Sequence, residues 1–208
     1  MSSRQTIIAA MAALLVTPAA AQDVTLSWGA TLTSNYMSRG ATQSDNKPAF
    51  QPWAEVGLHG FYAGIWASNV RFPGDPDRDR VEIDLYAGYR FDLGGASFDV
   101  GYERYIYNRS GDCCGELYGR VDIEAGSGGA FGGISFDPGD GFRIADANVG
   151  VRMMLIEPLS GSAQIGRSYG SNYGNIGVSY AIMPNAEIDL RYHRGTDNRL
   201  VASVGVSF

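Results

Sequence analysis

Along most of the chain apolar and polar side chains alternate one by one, the spacing that places successive residues on opposite faces of a β-strand. In residues 81–91, Val81, Ile83, Leu85, Ala87, Tyr89 and Phe91 share one face, while Glu82, Asp84, Tyr86, Gly88 and Arg90 share the other. Ala186, Ile188, Leu190 and Tyr192 likewise oppose Glu187, Asp189, Arg191 and His193. Near the end, Leu200, Ala202, Val204, Val206 and Phe208 oppose Val201, Ser203, Gly205 and Ser207. The pattern predicts strands at 24–37, 49–58, 61–70, 81–91, 96–107, 115–125, 129–136, 142–155, 161–168, 173–183, 185–194 and 199–208. Most match the roughly 9 to 11 residues that a tilted membrane strand needs. A soluble sandwich uses strands of about 5 to 6. The expected fold is therefore all-β: a closed, antiparallel, up-and-down transmembrane barrel of about twelve strands, or about eight or ten if a weak element such as 129–136 is loop.

The connections alternate too. Those after odd strands carry the longer polar segments: Gly40 to Pro48, Phe72 to Arg80, Asn108 to Cys114, Asp137 to Gly141, 170–172 and Gly195 to Asn198. Those after even strands are mostly tight, as at His59-Gly60, Asp92 to Gly95, Gly126 to Gly128, Glu157 to Ser160 and Pro184. Outer-membrane barrels have short periplasmic turns and longer outer loops, so the first three long loops are expected to face outside the cell.

The first residues read as a processing segment, 1–21, followed by one barrel domain, 22–208. Arg4 is a positive start, Ile7 to Val16 an apolar run, and Ala19-Ala20-Ala21 a small-residue cleavage site. After it no apolar run reaches the roughly 18 residues of a transmembrane helix. The chain is acidic, with a formal charge of −6 and no basic cluster, which sets nucleic-acid binding aside.

The stretch Ser34-Asn35-Tyr36-Met37-Ser38-Arg39-Gly40, with Gln43, Asn46, Pro48-Ala49 and then Gly60 to Val70, resembles the TorF-like family of outer-membrane porins over roughly residues 24–90. The resemblance implies an outer-membrane barrel of Gram-negative bacteria with channel activity. The terminal Phe208, with apolar residues at alternate positions before it, looks like the C-terminal signal read by the outer-membrane assembly machinery.

The polar face of a closed barrel becomes its lumen. The alternation turns Glu55, Glu82, Asp84, Asp99, Glu103, Glu116, Asp122, Glu124, Glu187 and Asp189 inward, with Arg90, Arg120, Arg152 and Arg191. Such a wall either sorts solutes by charge or closes the lumen through arginine–carboxylate pairs. The acid excess favours a cation-preferring channel, with selectivity responding to Glu82 and Asp84. Arg104 and Arg167 fall in the outward phase near the outer strand ends, where they are expected to meet lipopolysaccharide phosphates, with Arg71 and Arg109 as further candidates.

Enzymatic chemistry has few residues to use. His59 and His193 fall at opposite barrel ends and cannot share a site, which leaves His193 near Asp189 as the one hydrolytic candidate. Cys113 and Cys114 are adjacent, a spacing that closes only a strained ring unless each pairs with another chain, so loop decoration is expected. Asp75-x-Asp77-x-Asp79 opens like a calcium loop but lacks its later glycine and glutamate. No metal site, cofactor box, nucleotide loop or plug domain is visible. The expected function is passive, cofactor-free diffusion of small solutes or ions through an outer-membrane porin. The alternatives are a closed structural or adhesive barrel and, third, a barrel hydrolase. Tyr36, Phe61, Phe91, Tyr192 and Phe208 fall near strand ends as an aromatic girdle would.

Overall fold

The computed structural model describes residues 24–208 except positions 73 and 77; the processing segment expected at 1–21 and the motif position Asp77 lie outside the described residues. Alternation sustained over strands of 9 to 15 residues gives each strand one oily and one polar face, and closing the sheet turns the polar face inward and the oily face outward. Twelve strands form one antiparallel closed barrel. They are β1 (Val24–Thr33), β4 (Ala49–Leu58), β5 (Phe61–Asn69), β6 (Val81–Leu93), β7 (Ala96–Tyr107) and β8 (Gly111–Ala125), then β9 (Gly128–Asp137), β10 (Arg143–Ile156), β11 (Leu159–Ser168), β12 (Ser171–Met183), β13 (Ala186–Arg194) and β14 (Arg199–Ser207). The remaining two, β2 (Met37–Ser38) and β3 (Ala41–Thr42), pair with each other inside the first long loop.

Closure is made by β1, which pairs with β4 over its full length and with β14 from Gly29 to Thr33. Joining the first strand to the last closes the ring, so the sheet has no free edge strand. Beyond the last ladder rung, Phe208 exchanges two backbone hydrogen bonds with Trp28 and stacks on its ring at 4.3 Å.

All five even-to-odd connections are two-residue turns, at 59–60, 94–95, 126–127, 157–158 and 184–185. The opposite end carries 34–48 and 70–80 as its long connections. The alternation of connection lengths thus holds, with two corrections. Strand β8 begins at Gly111, so most of the expected loop 108–114 is strand. The connection before β12 shrinks to Tyr169-Gly170, because Ser171 and Asn172 pair with β11. The weak segment 129–136 is a full strand.

The outward face is apolar, with Leu26, Ile165 and Ile176 among its most exposed side chains. The inward face is polar and, from β4 to β8, crowded with aromatic rings: Trp53, Trp66, Tyr62, Tyr86 and Tyr118. Glycine makes room for them. Gly88 lies under the Tyr62 ring and Gly64 under Tyr86, and a Cβ at either position would collide with that ring. One flank of the lumen is filled in this way while the other stays open.

Candidate functional site

The first long loop decides the shape of the lumen. The expected first strand, 24–37, stops at Thr33. The chain then turns inward as a tongue, residues 34–48, instead of rising as an outer loop. Asn35 is buried at its centre: its Oδ1 accepts from Thr42 Oγ1 at 2.6 Å and Ser44 Oγ at 3.0 Å, and its Nδ2 donates to Asn46 Oδ1 at 3.3 Å. Tyr36 packs edge-on to Trp66 at 5.4 Å. Gly40 takes a left-handed φ of 80° and packs against the backbone of Gly195, closer than any side chain allows.

This turn aims Arg39 across the lumen. Its guanidinium makes a two-pronged ion pair with Glu116 of β8, at 2.7 and 2.5 Å, and lies 3.8 Å from Asp146 of β10. Glu116 and Asp146 are both buried. A forked donor facing two carboxylates is a strong, oriented contact, and here it bridges walls far from the strand that bears the tongue.

Beside the tongue is a cavity of about 850 Å³, bordered by Arg39, Glu103, Glu116, Tyr118 and Arg120 on one side and by Asp146, Asn148, Gln164, Tyr173, Asn175 and His193 on the other. It continues toward the turn end past Arg90, Asp99 and Asp122. Arg90 forms a two-pronged pair with Glu55 and covers the Tyr62 ring at 3.7 Å, and Tyr62 donates to Asp99. Arg120 lies over the Tyr118 ring at 4.2 Å and reaches Asp99 only at 3.8 Å. Arg152 binds Asp122 and Glu124, and Arg191 binds Asp189.

The strand registers place all fourteen expected wall residues, ten acids and four arginines, in the inward phase. They are not brought together in one place. Each of the four expected inward arginines has a carboxylate partner, whereas Arg199, inward beside His193, meets only Asn46 and the Asn198 carbonyl; among the described residues Glu82, Asp84, Glu103 and Glu187 make no ion pair. Glu82 and Asp84 are only 4 % and 5 % exposed, next to Tyr36 of the tongue, and neither borders the cavity. Glu103 does border it. The expectation that Glu82 and Asp84 face the solute path is therefore revised.

Two site residues escape a strand-by-strand reading. Arg39 lies beyond the alternating segment, and only its fold-back brings it inside. Asp146 follows a bulge between Ile144 and Asp146 that breaks the alternation. Counting back in twos from inward Arg152 recovers it.

Of the two outward arginines, Arg104 is tied to Asp112 at 2.5 Å and to the Tyr102 hydroxyl at 3.1 Å, while Arg167 is exposed. Arg71 pairs with Asp45 of the tongue at 3.1 Å. His193 points into the lumen, in register with Asn175 on one side and Arg199 on the other. Cys113 and Cys114 are bonded to each other, not to another chain. They sit where β8 slips register by one residue against β7. Asp79 accepts from Ser110 Oγ at 2.7 Å and from the backbone N–H of Ser110 and Arg109, so it ties two loops together. Burial pushes its carboxyl up, but these donors outweigh that and hold it below the usual carboxylate range.

A closed twelve-stranded barrel with an inward loop invites comparison with known proteins. Residues 17–193 match the model of the Gcw_chp family, described as bacterial proteins of unknown function. The chain belongs to the Gcw_chp family. No curated protein matches its sequence. Among solved structures it is similar to the KdgM porin, with 10 % identity, a TM-score of 0.62 and coverage of 88 % of this chain and 98 % of the other. The NanC porin follows at 10 % identity and TM-score 0.55, covering 88 % and 99 %. Outer membrane phospholipase A from Escherichia coli, at 16 % identity and TM-score 0.54, covers 88 % and 92 %. At these identities the likeness is one of fold: the Gcw_chp chain is a porin-like barrel.

Proposed function

We propose that this Gcw_chp protein is a narrow outer-membrane channel for passive diffusion of small solutes or ions, with the tongue as its constriction. The observation that carries the reading is the polar cavity of about 850 Å³ within a closed barrel. A structural barrel with a closed lumen gains nothing from keeping such a space lined by amides, tyrosines and charges. The porin folds nearby and the TorF-like resemblance of residues 24–90 support the same reading. On this reading the two-residue turns face the periplasm and the long loops face outside.

The channel prefers cations on this reading. The four expected wall arginines are already paired and Arg199 is the inward arginine left without a carboxylate among the described residues, so the uncompensated charge of the wall is still an excess of carboxylate, and it draws cations into the low-dielectric bore. Single-channel recordings in planar bilayers test the channel, and reversal potentials under a potassium chloride gradient test its sign. Discrete conductance steps with a cation-directed reversal potential are expected; a silent bilayer from correctly folded protein would favour the closed structural barrel. Catalysis has weaker support, because His193 faces the lumen and not the lipid. Loss of a hydrolytic activity in His193→Ala would be needed to revive it.

A further inference from the structure

On the outside of the barrel two guanidinium groups stand close together without partners. Arg167, near the loop end of β11, continues the outward phase of Ala163 and Ile165, and Arg194 ends β13 in the outward phase of Leu190 and Tyr192. Both are exposed, and neither makes an ion pair or side-chain hydrogen bond among the described residues. Other arginines at this end are engaged: Arg71 with Asp45, Arg104 with Asp112 and Arg143 with Asp140.

The strand between the two presents one short polar side chain and a glycine here. In β12, Asn172 is in register with Arg167, and Gly174 is in register with Arg194 and with Ile165. Strands lie about 4.8 Å apart and rise about 3.4 Å per residue, so two strands across and two residues along puts the two α-carbons roughly 12 Å apart. Two arginines thus flank a shallow bay floored by Asn172 and the backbone of Gly174. On the turn side of the bay stand Ile165, Ile176 and Tyr192, exposed by 68 %, 62 % and 46 %.

We propose that Arg167 and Arg194 hold the phosphorylated headgroup of an outer-leaflet glycolipid of the lipopolysaccharide type, with its acyl chains lying on Ile165, Ile176 and Tyr192. The assignment rests on reading the chain as a membrane barrel whose loop end meets the outer leaflet. A charge at mid-membrane on the lipid face costs about 2–4 kcal/mol, but near the interface only about 0–1. An arginine there pairs with phosphate through two parallel N–H donors. Without an anion the two positive groups only repel each other, while one phosphate between them, or two spanning them, removes that repulsion. The same chemistry demotes Arg104, whose charge is already neutralised by Asp112.

The test uses purified, refolded protein in nanodiscs containing either bisphosphorylated lipid A or its dephosphorylated form, with retained lipid counted by native mass spectrometry. Heat-modifiable migration on gels verifies that each variant is folded. The wild-type protein is expected to retain the phosphorylated lipid about tenfold better than the dephosphorylated one. Arg167→Gln with Arg194→Gln should abolish that preference, each single change should lose part of it, and Arg104→Gln should leave it intact. Equal retention by the double variant, equal loss in Arg104→Gln, or no preference for the phosphorylated lipid overturns the proposal. Displacement by inorganic phosphate alone overturns the lipid assignment, because then the acyl contacts contribute nothing. Since binding is read on the isolated barrel, a failure to conduct ions leaves this result untouched, and membrane fractionation reports separately on location.

Discussion

Arg39 is the residue on which the lumen's shape turns. Its guanidinium neutralises Glu116 and sits near Asp146, both buried in the opposite wall. Removing one partner of a buried pair leaves the other charge uncompensated, at a cost of about 3–5 kcal/mol. Arg39→Ala is therefore expected to lower stability against urea in vesicles and to raise single-channel conductance, because the tongue loses its far anchor. Glu116→Gln should show the smaller effect, since Asp146 still faces the guanidinium. Unchanged conductance in both variants would mean that the other contacts of the tongue hold it in place. Asp79 acts in a similar way between two loops. Its carboxyl is held below the ordinary range, so the stabilisation is full above the unfolded carboxylate pKa of about 3.9 and disappears as pH falls through the lower folded value. Protection against hydrogen exchange at residues 78–80 and 108–110, taken relative to the intrinsic rate at each pH, should thus hold from pH 7 to about 4 and fall below that. Asp79→Asn should show low protection throughout.

At the scale of elements, the tongue and the slipped end of β8 are the two places where regular alternation fails. The tongue satisfies its own polar groups through Asn35 and touches the wall at separate points, among them Arg39 and the backbone pair between Gly40 and Asp197. The disulfide between Cys113 and Cys114 joins residues adjacent in sequence, so it closes no loop of chain and restricts the unfolded state very little. Cys113→Ser with Cys114→Ser is accordingly expected to change stability by under about 1 kcal/mol, measured by denaturant titration of the folded barrel. A loss of several kcal/mol would show that the cross-link holds the register of β7 against β8. The strand ends that carry Arg167 and Arg194 are regular by comparison, and their interest lies only in the charges they leave unneutralised.

For the whole molecule the question is which charges a passing ion meets. Glu103 borders the cavity and Glu187 is exposed near the turn end, both without an ion pair, whereas Glu82 and Asp84 lie buried beside the tongue. Glu103→Gln with Glu187→Gln should reduce cation preference measured by reversal potential, and Glu82→Gln with Asp84→Asn should change it much less. The preference should also weaken with salt, since screening shortens to about 3 Å at 1 M. The opposite ranking of the two variants would place the solute path behind the tongue. The alternation of side chains pointed to about twelve strands, with eight or ten still open, and set the inward phase of residues such as Arg90 and Asp189 and the end at which the longer connections lie, because a period of two is a local property that each strand carries by itself. Local pattern carries no information about what an irregular segment does on reaching the far wall. The inward path of residues 34–48, the pairing of Arg39 with Glu116, the burial of Glu82 and Asp84 and the partnerless state of Arg194 all depend on distances set only when the barrel closes. Tertiary structure decided them, because each is a contact between strands remote in sequence.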